Sequence, residues 1–173
     1  MARKPAPRLQ SFDYTGFHRY FLTISTFRGA PYFDRDEAVA LVLAHLLRAA
    51  DAERFAVIAY CFMPAHLHVL VEGTHEASDF QEFVRLFKQL SAYHWKQSTR
   101  QLLWHRGYHE RVLRDHEDTI AAIRYIAANP VRAGLVARPE DYPYLGSMTG
   151  TVREMLNSMR LDGLTFRSAL NRE

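Results

Sequence analysis

Tyr60-Cys61-Phe62-Met63-Pro64-Ala65-His66-Leu67-His68-Val69-Leu70-Val71-Glu72 is the stretch that decides the fold of this 173-residue chain. From His66 to Glu72 polar and apolar residues largely alternate, which predicts a β-strand with one buried face. Successive strand side chains point to opposite faces, so Leu67, Val69 and Val71 go one way and His66 and His68 the other. Two imidazoles two residues apart on one strand face can converge on one ion. Before them, Phe55 to Met63 is nearly all apolar and reads as a central strand, and Met63-Pro64-Ala65 turns the chain.

Upstream, residues 1–17 are polar and proline-containing and read as an extended arm, followed by a β-rich strand over 18–27. Residues 36–50 carry Val39, Val42, Leu43, Leu46 and Leu47 as a helical stripe, with Asp34 or Asp36 as the expected cap. Downstream, Ser78 or Asp79 opens a long helix to about Ser98, with Phe80, Phe83, Val84, Phe87, Leu90 and Ser91 along one side. Residues 102–113 read as a strand, regular or not, with Gly107 as a bulge or turn. Asp115 is expected to open a helix that Pro130 stops, with Gly134 marking a turn beyond it. Residues 139–147 read as loop and 151–159 as a final helix. The order β-α-β-β-α-β is that of an α+β, ferredoxin-like (RRM-like) antiparallel sheet with helices packed on one face. No repeat or linker interrupts it, so a single domain over 1–173 is expected, with 148–173 as a C-terminal extension.

Composition narrows the function classes. With 48% hydrophobic residues the chain can bury a core, and no run of about 18 apolar residues predicts a membrane span. The basic start, Met1 to Arg8, lacks the apolar run of a secretion signal. A single cysteine, Cys61, forms no internal disulfide and reads as a small buried hydrophobe, which fits a reducing cytoplasm. Net charge is only +3, but residues 85–138 hold ten Lys/Arg against four Asp/Glu. Eight aromatic or histidine side chains lie in 87–109 (Phe87, Tyr93, His94, Trp95, Trp104, His105, Tyr108 and His109), with Phe83 just before them. Cations interleaved with rings suit a nucleic-acid face, and equally an ordinary solvated face over an aromatic core.

Tyr125 and Asn129 are four residues apart on the helix expected over 115–129, and so share a face. Beside the strand histidines they would offer two imidazole nitrogens, an amide oxygen and a phenol. A phenolic oxygen can attack phosphorus, and a cation on the scissile phosphate offsets the developing charge.

Three blocks in this order, Met63–His68, then Trp104-His105-Arg106-Gly107-Tyr108-His109-Glu110-Arg111-Val112-Leu113-Arg114, then Tyr125-Ile126-Ala127-Ala128-Asn129-Pro130-Val131-Arg132-Ala133-Gly134-Leu135-Val136, resemble the IS200-like single-tyrosine transposases, most closely their REP-associated branch. Phe12-Asp13-Tyr14 before a strand also looks like that branch, and the resemblance spans roughly residues 8–145. It implies that His66 and His68 bind a divalent metal and that Tyr125 attacks single-stranded DNA. A 5′-phosphotyrosine and a free 3′-OH result, and are rejoined without ATP. Asn129 stands where family members place a further polar ligand, many of them glutamine. Nitrogen ligands alone would suggest zinc; the phosphoryl chemistry and the family imply Mg²⁺ or Mn²⁺.

The resemblance also implies hairpin or single-stranded DNA as partner, a bacterial cytoplasmic, nucleoid-associated setting, and a monomer or a homodimer. Lys88, Lys96, Arg106, Arg111, Arg114, Arg124 and Arg132 are the candidate phosphate contacts. Tyr108 is the competing nucleophile, and Glu72 a further candidate near the ion. His94, His105, His109 and His116 read as structural or surface groups. The alternatives are a non-cleaving binder of structured single strands and, less favoured for want of an acid-rich site, an unrelated hydrolytic metalloenzyme.

Overall fold

A computed structural model describes residues 12–114 and 116–161. Among the described residues the strands are β1 (Arg19–Ser25), β2 (Phe55–Met63), β3 (His66–Gly73), β4 (His109–Leu113) and β5 (Leu145–Gly146). The α-helices among them are α1 (Asp36–Ala52), α2 (Phe80–Thr99), α3 (His116–Arg132) and α4 (Val152–Leu161). One antiparallel sheet has the order β4-β1-β3-β2-β5. The first four strands thus have the ferredoxin-like arrangement, and the histidine strand β3 is in the middle. β2, expected to be central, lies between β3 and the two-residue β5, a strand hidden in what reads as loop.

Leu67, Val69 and Val71 of β3 pack with Tyr20, Leu22 and Ile24 of β1 against α1 and α2. This is the helix-covered face that the sequence predicts. Phe80, Phe83 and Phe87 recur at helical spacing and are fully buried in it; burying each contributes roughly 1.5–3 kcal/mol. α2 starts where Asp79 accepts from the amides of Gln81 and Glu82 at 2.9 and 3.0 Å. α1 has no such cap: the side chain of Arg35, which precedes it, makes no capping bond to the helix amides, and Asp36 instead accepts from the Tyr144 hydroxyl at 2.8 Å.

The histidine face is covered too, though differently. Ile120, Ile123, Ile126 and Ala127 of α3, with Met155 and Leu156 of α4, pack on Leu70, Ala59, Cys61 and Leu113. A register shift in β2 between Val57 and Ala59 makes this possible. It leaves Val57 in the α1/α2 core but turns Ala59 and Cys61 toward α3. Cys61 is fully buried, as expected, and burial pushes its thiol pKa up to about 12.

Three sequence expectations change. The strand over 102–113 is shorter: only His109–Leu113 is regular, preceded by an isolated bridge between Trp104 and Thr26. α3 runs through Pro130 to Arg132. Its end is closed by Gly134 N–H on the Val131 carbonyl (3.0 Å) and Leu135 N–H on the Pro130 carbonyl (2.9 Å), with Gly134 at φ +70°. These crossed bonds past a left-handed glycine end the helix one turn beyond the proline. Within the expected arm, Tyr14 is buried in the core and Thr15 bridges Asp79; residues 1–11 lie outside the described residues, as does the expected cap Asp115.

The strand-end glycine shows how closely the chain crosses itself. A Cβ on Gly73 would sit 1.9 Å from the Gly16 carbonyl oxygen, a main-chain atom. Gly73→Ala is expected to lower stability by at least about 2 kcal/mol, read as a shift in the urea unfolding midpoint with unchanged slope. Among the described residues no helix is long and apolar enough to cross a membrane.

Candidate active site

β3 turns His66 and His68 toward the α3 side of the sheet, and their Nε2 atoms lie 3.1 Å apart. His68 is 4% exposed and His66 half-buried. Burial lowers both pKa values, that of His68 to about 3, so both rings are neutral at neutral pH. On the neighbouring strand, register pairs Thr23 with His68, and Thr23 Oγ1 is 2.8 Å from His68 Nδ1. A ring that binds an ion through Nε2 carries its proton on Nδ1, and Thr23 then accepts it.

α3 passes above this pair. Tyr125 and Asn129 share the face that meets it: the Tyr125 ring stands edge-on to His68 at 5.4 Å and to Phe21 at 5.6 Å. Its phenol belongs to a side chain that remains 43% exposed. Asn129 Nδ2 donates to the Tyr125 carbonyl at 2.6 Å, and its amide favours the charged form of the His68 ring. At the other end of the helix, Arg19 Nε donates to Glu72 at 2.8 Å and Arg19 Nη1 to Thr119 at 3.3 Å. Arg111 and Asp118 form a second tie, between β4 and α3. These bonds tie the helix to the sheet that carries the histidines.

The donor set suits a cation. Two nitrogens each about 2.1 Å from one ion lie about 3 Å apart at right angles and about 3.4 Å apart in a tetrahedron; the observed separation of 3.1 Å falls between. Two neutral imidazoles whose Nε2 lone pairs converge repel each other until a proton or cation lies between them. Among the described residues no three His, Cys, Asp or Glu come together. The amide of Asn129 is therefore the side chain at hand for a third donor.

The same constellation is bounded by a sequence match. Residues 22–129, from Leu22 of β1 to Asn129 of α3, match the family described as transposase IS200 like. The chain belongs to the IS200-like transposase family. A Haemophilus influenzae protein that carries the name REP-associated tyrosine transposase is 26% identical over 101 residues, which are 52% of this chain and 57% of that protein. The chain thus spans little more than half the length of this curated relative. A solved REP-associated tyrosine transposase bound to a REP hairpin superposes with a TM-score of 0.67 at 19% identity, over 79% of this chain and 81% of that one. It has the same α+β fold.

Within the IS200-like frame the candidates separate by position. His66, His68, Tyr125 and Asn129 come together at one point. Tyr108, the competing tyrosine, packs with the α1/α2 core on the opposite side of the sheet, against Lys88. Glu72 is ion-paired with Arg19. Arg111 lies in the column of β4 that faces α3, paired with Asp118, and the Arg114 amide donates to the same carboxylate at 3.4 Å. Arg124 is half-buried on α3, and Arg132 is exposed in its last turn. Arg106 is exposed in the loop before β4. Lys96 is exposed on α2, in the layer behind the sheet, away from the histidines. Lys88 Nζ is engaged by main-chain carbonyls.

Sequence reading missed Phe21 and Thr23, whose signal is register and not composition. Thr23→Val keeps the shape and removes the acceptor. It is expected to weaken Mn²⁺ affinity about 10- to 100-fold, measured by calorimetric titration, with the melting temperature nearly unchanged.

Proposed function

We propose that this chain is a metal-dependent single-stranded DNA endonuclease and strand transferase that acts on REP-type hairpins through Tyr125. The observation that carries the reading is the placement of an exposed phenol 5.4 Å, ring to ring, from His68 of a converging imidazole pair in the same chain. Membership of the IS200-like family and the fold shared with a hairpin-bound transposase support it.

In this reading His66, His68 and the Asn129 amide oxygen would hold Mg²⁺ or Mn²⁺, which would there supply positive charge to offset that developing on the scissile phosphate. Tyr125 Oη attacks the phosphorus, forming an Oη–P bond as the P–O3′ bond breaks. The phenol loses its proton and the departing 3′ oxygen gains one, leaving a 5′-phosphotyrosine and a 3′-OH. One phosphoester replaces another, so a second strand's 3′-OH can reverse the step without an external energy source. Thr23 keeps the His68 ring in place, and the two ties of Arg19 and Arg111 keep α3 over the site. Arg106, Arg111, Arg114, Arg124 and Arg132 hold the strand's phosphates.

The chain works as a monomer or as a homodimer, and the meeting of all four central side chains within one chain supports the monomer. The chain works in the bacterial cytoplasm at the nucleoid, as a single transposase domain with residues 148–173 as an extension.

The test is incubation of the protein with a labelled hairpin oligonucleotide carrying single-stranded flanks, with Mg²⁺ or Mn²⁺ and with EDTA. A denaturant-resistant protein–DNA adduct that needs the metal is the expected result. Tight hairpin binding with no cleavage under either metal would instead favour a binder that represses or organises DNA.

A further inference from the structure

The chain edge beside the histidines contains a loop whose main-chain carbonyls meet one half-buried cation, Lys88. β1 pairs on its outer side first with the segment before β4 and then with β4 itself. Phe27 N–H donates to the Leu103 carbonyl at 2.8 Å, Thr26 bridges Trp104, and His105 N–H donates to the Ser25 carbonyl at 2.9 Å. The ladder resumes at Thr23 opposite His109. Between these points β1 uses one residue, Ile24, while the facing chain uses three, Arg106, Gly107 and Tyr108. The surplus must leave the sheet as a loop.

Lys88 of α2 lies behind this loop. It follows the buried Phe87 and precedes the buried Ser91 by three positions, so its stem lies along the core and its ammonium reaches the edge. Nζ donates to the carbonyls of His105, Arg106 and Gly107 at 3.0, 3.2 and 3.3 Å, and lies 5.7 Å from the Tyr108 ring centre. An ammonium has three N–H donors, and all three are used. Burial pushes the Lys88 pKa down to about 8, and three carbonyl oxygens around the ammonium favour its charged form at neutral pH. Gly107 N–H donates to His105 Nδ1 at 3.3 Å, so the loop is also closed on itself.

Position gives the loop a purpose. Ser25 pairs with His66 and Thr23 with His68 on the inner side of β1. The loop therefore borders the two rows that carry the candidate metal histidines, about two strand spacings or 10 Å from them. Its exposed side chain is Arg106.

We propose that Lys88 is a positioning residue for substrate: it turns the carbonyls of residues 105–107 inward and so presents Arg106 to a phosphate of the strand lying across the histidine pair. This rests on the single-strand DNA reading above. Lys88 itself does not touch DNA, although its charge alone would mark it as a phosphate contact.

The experiment compares wild type, Lys88→Met, Lys88→Arg, Arg106→Ala and the Lys88→Met/Arg106→Ala double variant. Hairpin dissociation constants are measured against salt concentration, along with single-turnover cleavage at saturating DNA. Lys88→Met and Arg106→Ala are each expected to weaken binding about tenfold and to flatten the log–log salt slope by about one. The double variant should be no worse than Arg106→Ala alone, and Lys88→Arg should recover most of the affinity. Single-turnover cleavage at saturating DNA should fall no further in Lys88→Met than in Arg106→Ala. Additive losses and a slope reduced by two in the double variant would overturn the proposal, since Lys88 would then contact DNA itself; so would unchanged affinity in Lys88→Met. Amide hydrogen exchange of residues 105–108, read without DNA, separates this from the functional reading. If the wild-type chain binds no hairpin, that reading falls. Lost protection in Lys88→Met would still support the role of Lys88 in holding the loop, and unchanged protection would overturn it.

Discussion

Tyr125→Phe is expected to abolish the covalent protein–DNA adduct and to lower hairpin cleavage at least about a thousandfold, the scale seen when a covalent nucleophile is removed. The substitution deletes one oxygen and little else. The ring keeps its edge-on contacts with His68 and Phe21 at 5.4 and 5.6 Å. Because the side chain is 43% exposed, stability should change by no more than about 0.5 kcal/mol. Hairpin affinity should stay within about twofold. Loss of chemistry with binding retained is the signature of a nucleophile and not of a damaged fold. Denaturing gel electrophoresis of labelled hairpin, beside a filter-binding curve, reads both. An adduct that persists in Tyr125→Phe would sink the assignment. Tyr108 would be a poor replacement, because it packs on the other side of the sheet.

His68→Ala should be nearly as severe by a different route. His68 is the more deeply buried imidazole of the pair, held between Thr23 Oγ1 and His66 Nε2. Its removal leaves one imidazole and an amide, and Mn²⁺ affinity is expected to fall more than about a hundredfold, with cleavage falling in step. The lost packing against Phe21, whose ring centre is 5.6 Å away, should cost about 2 kcal/mol. His66→Ala, at the more exposed ring, should lose metal with a smaller loss of stability, so the pair of variants separates ligation from packing. Electron paramagnetic resonance of added Mn²⁺ gives the affinity directly. Unchanged affinity in both variants would place the ion elsewhere.

Much of this site is legible in the sequence, for local reasons. A period of two puts His66 and His68 on one strand face, and a spacing of four puts Tyr125 and Asn129 on one helix face. What spacing cannot supply is which faces meet. Thr23 becomes a partner of His68 only through the register of β1 on β3. Tyr108 and Tyr125 are equal as phenols; the resemblance ranks them, and the structure separates them by the side of the sheet each occupies. Lys88 reads as a phosphate contact because charge is visible in sequence, whereas the carbonyls that engage it come from residues 17 to 19 positions away. Pro130 shows a local rule overridden: one amide is missing, but Gly134 and Leu135 close the helix beyond it, so the helix continues. The strand β5 is two residues long and depends on pairing with Tyr60 and Cys61, too short to carry a pattern of its own.

The ends of the strand order have a consequence for how copies of this chain behave at high concentration. An open sheet offers unpaired amides and carbonyls at its two outermost strands, a template on which another polypeptide can add. Here one outermost strand, β5, is two residues long. The other, β4, is five residues long, carries His109, Glu110 and Arg111, and is preceded by the outward loop at 106–108. Among the described residues neither border presents a long, flat, apolar ladder. Strand addition, the usual route from an open sheet to fibrous aggregates, is therefore disfavoured at both margins of this fold.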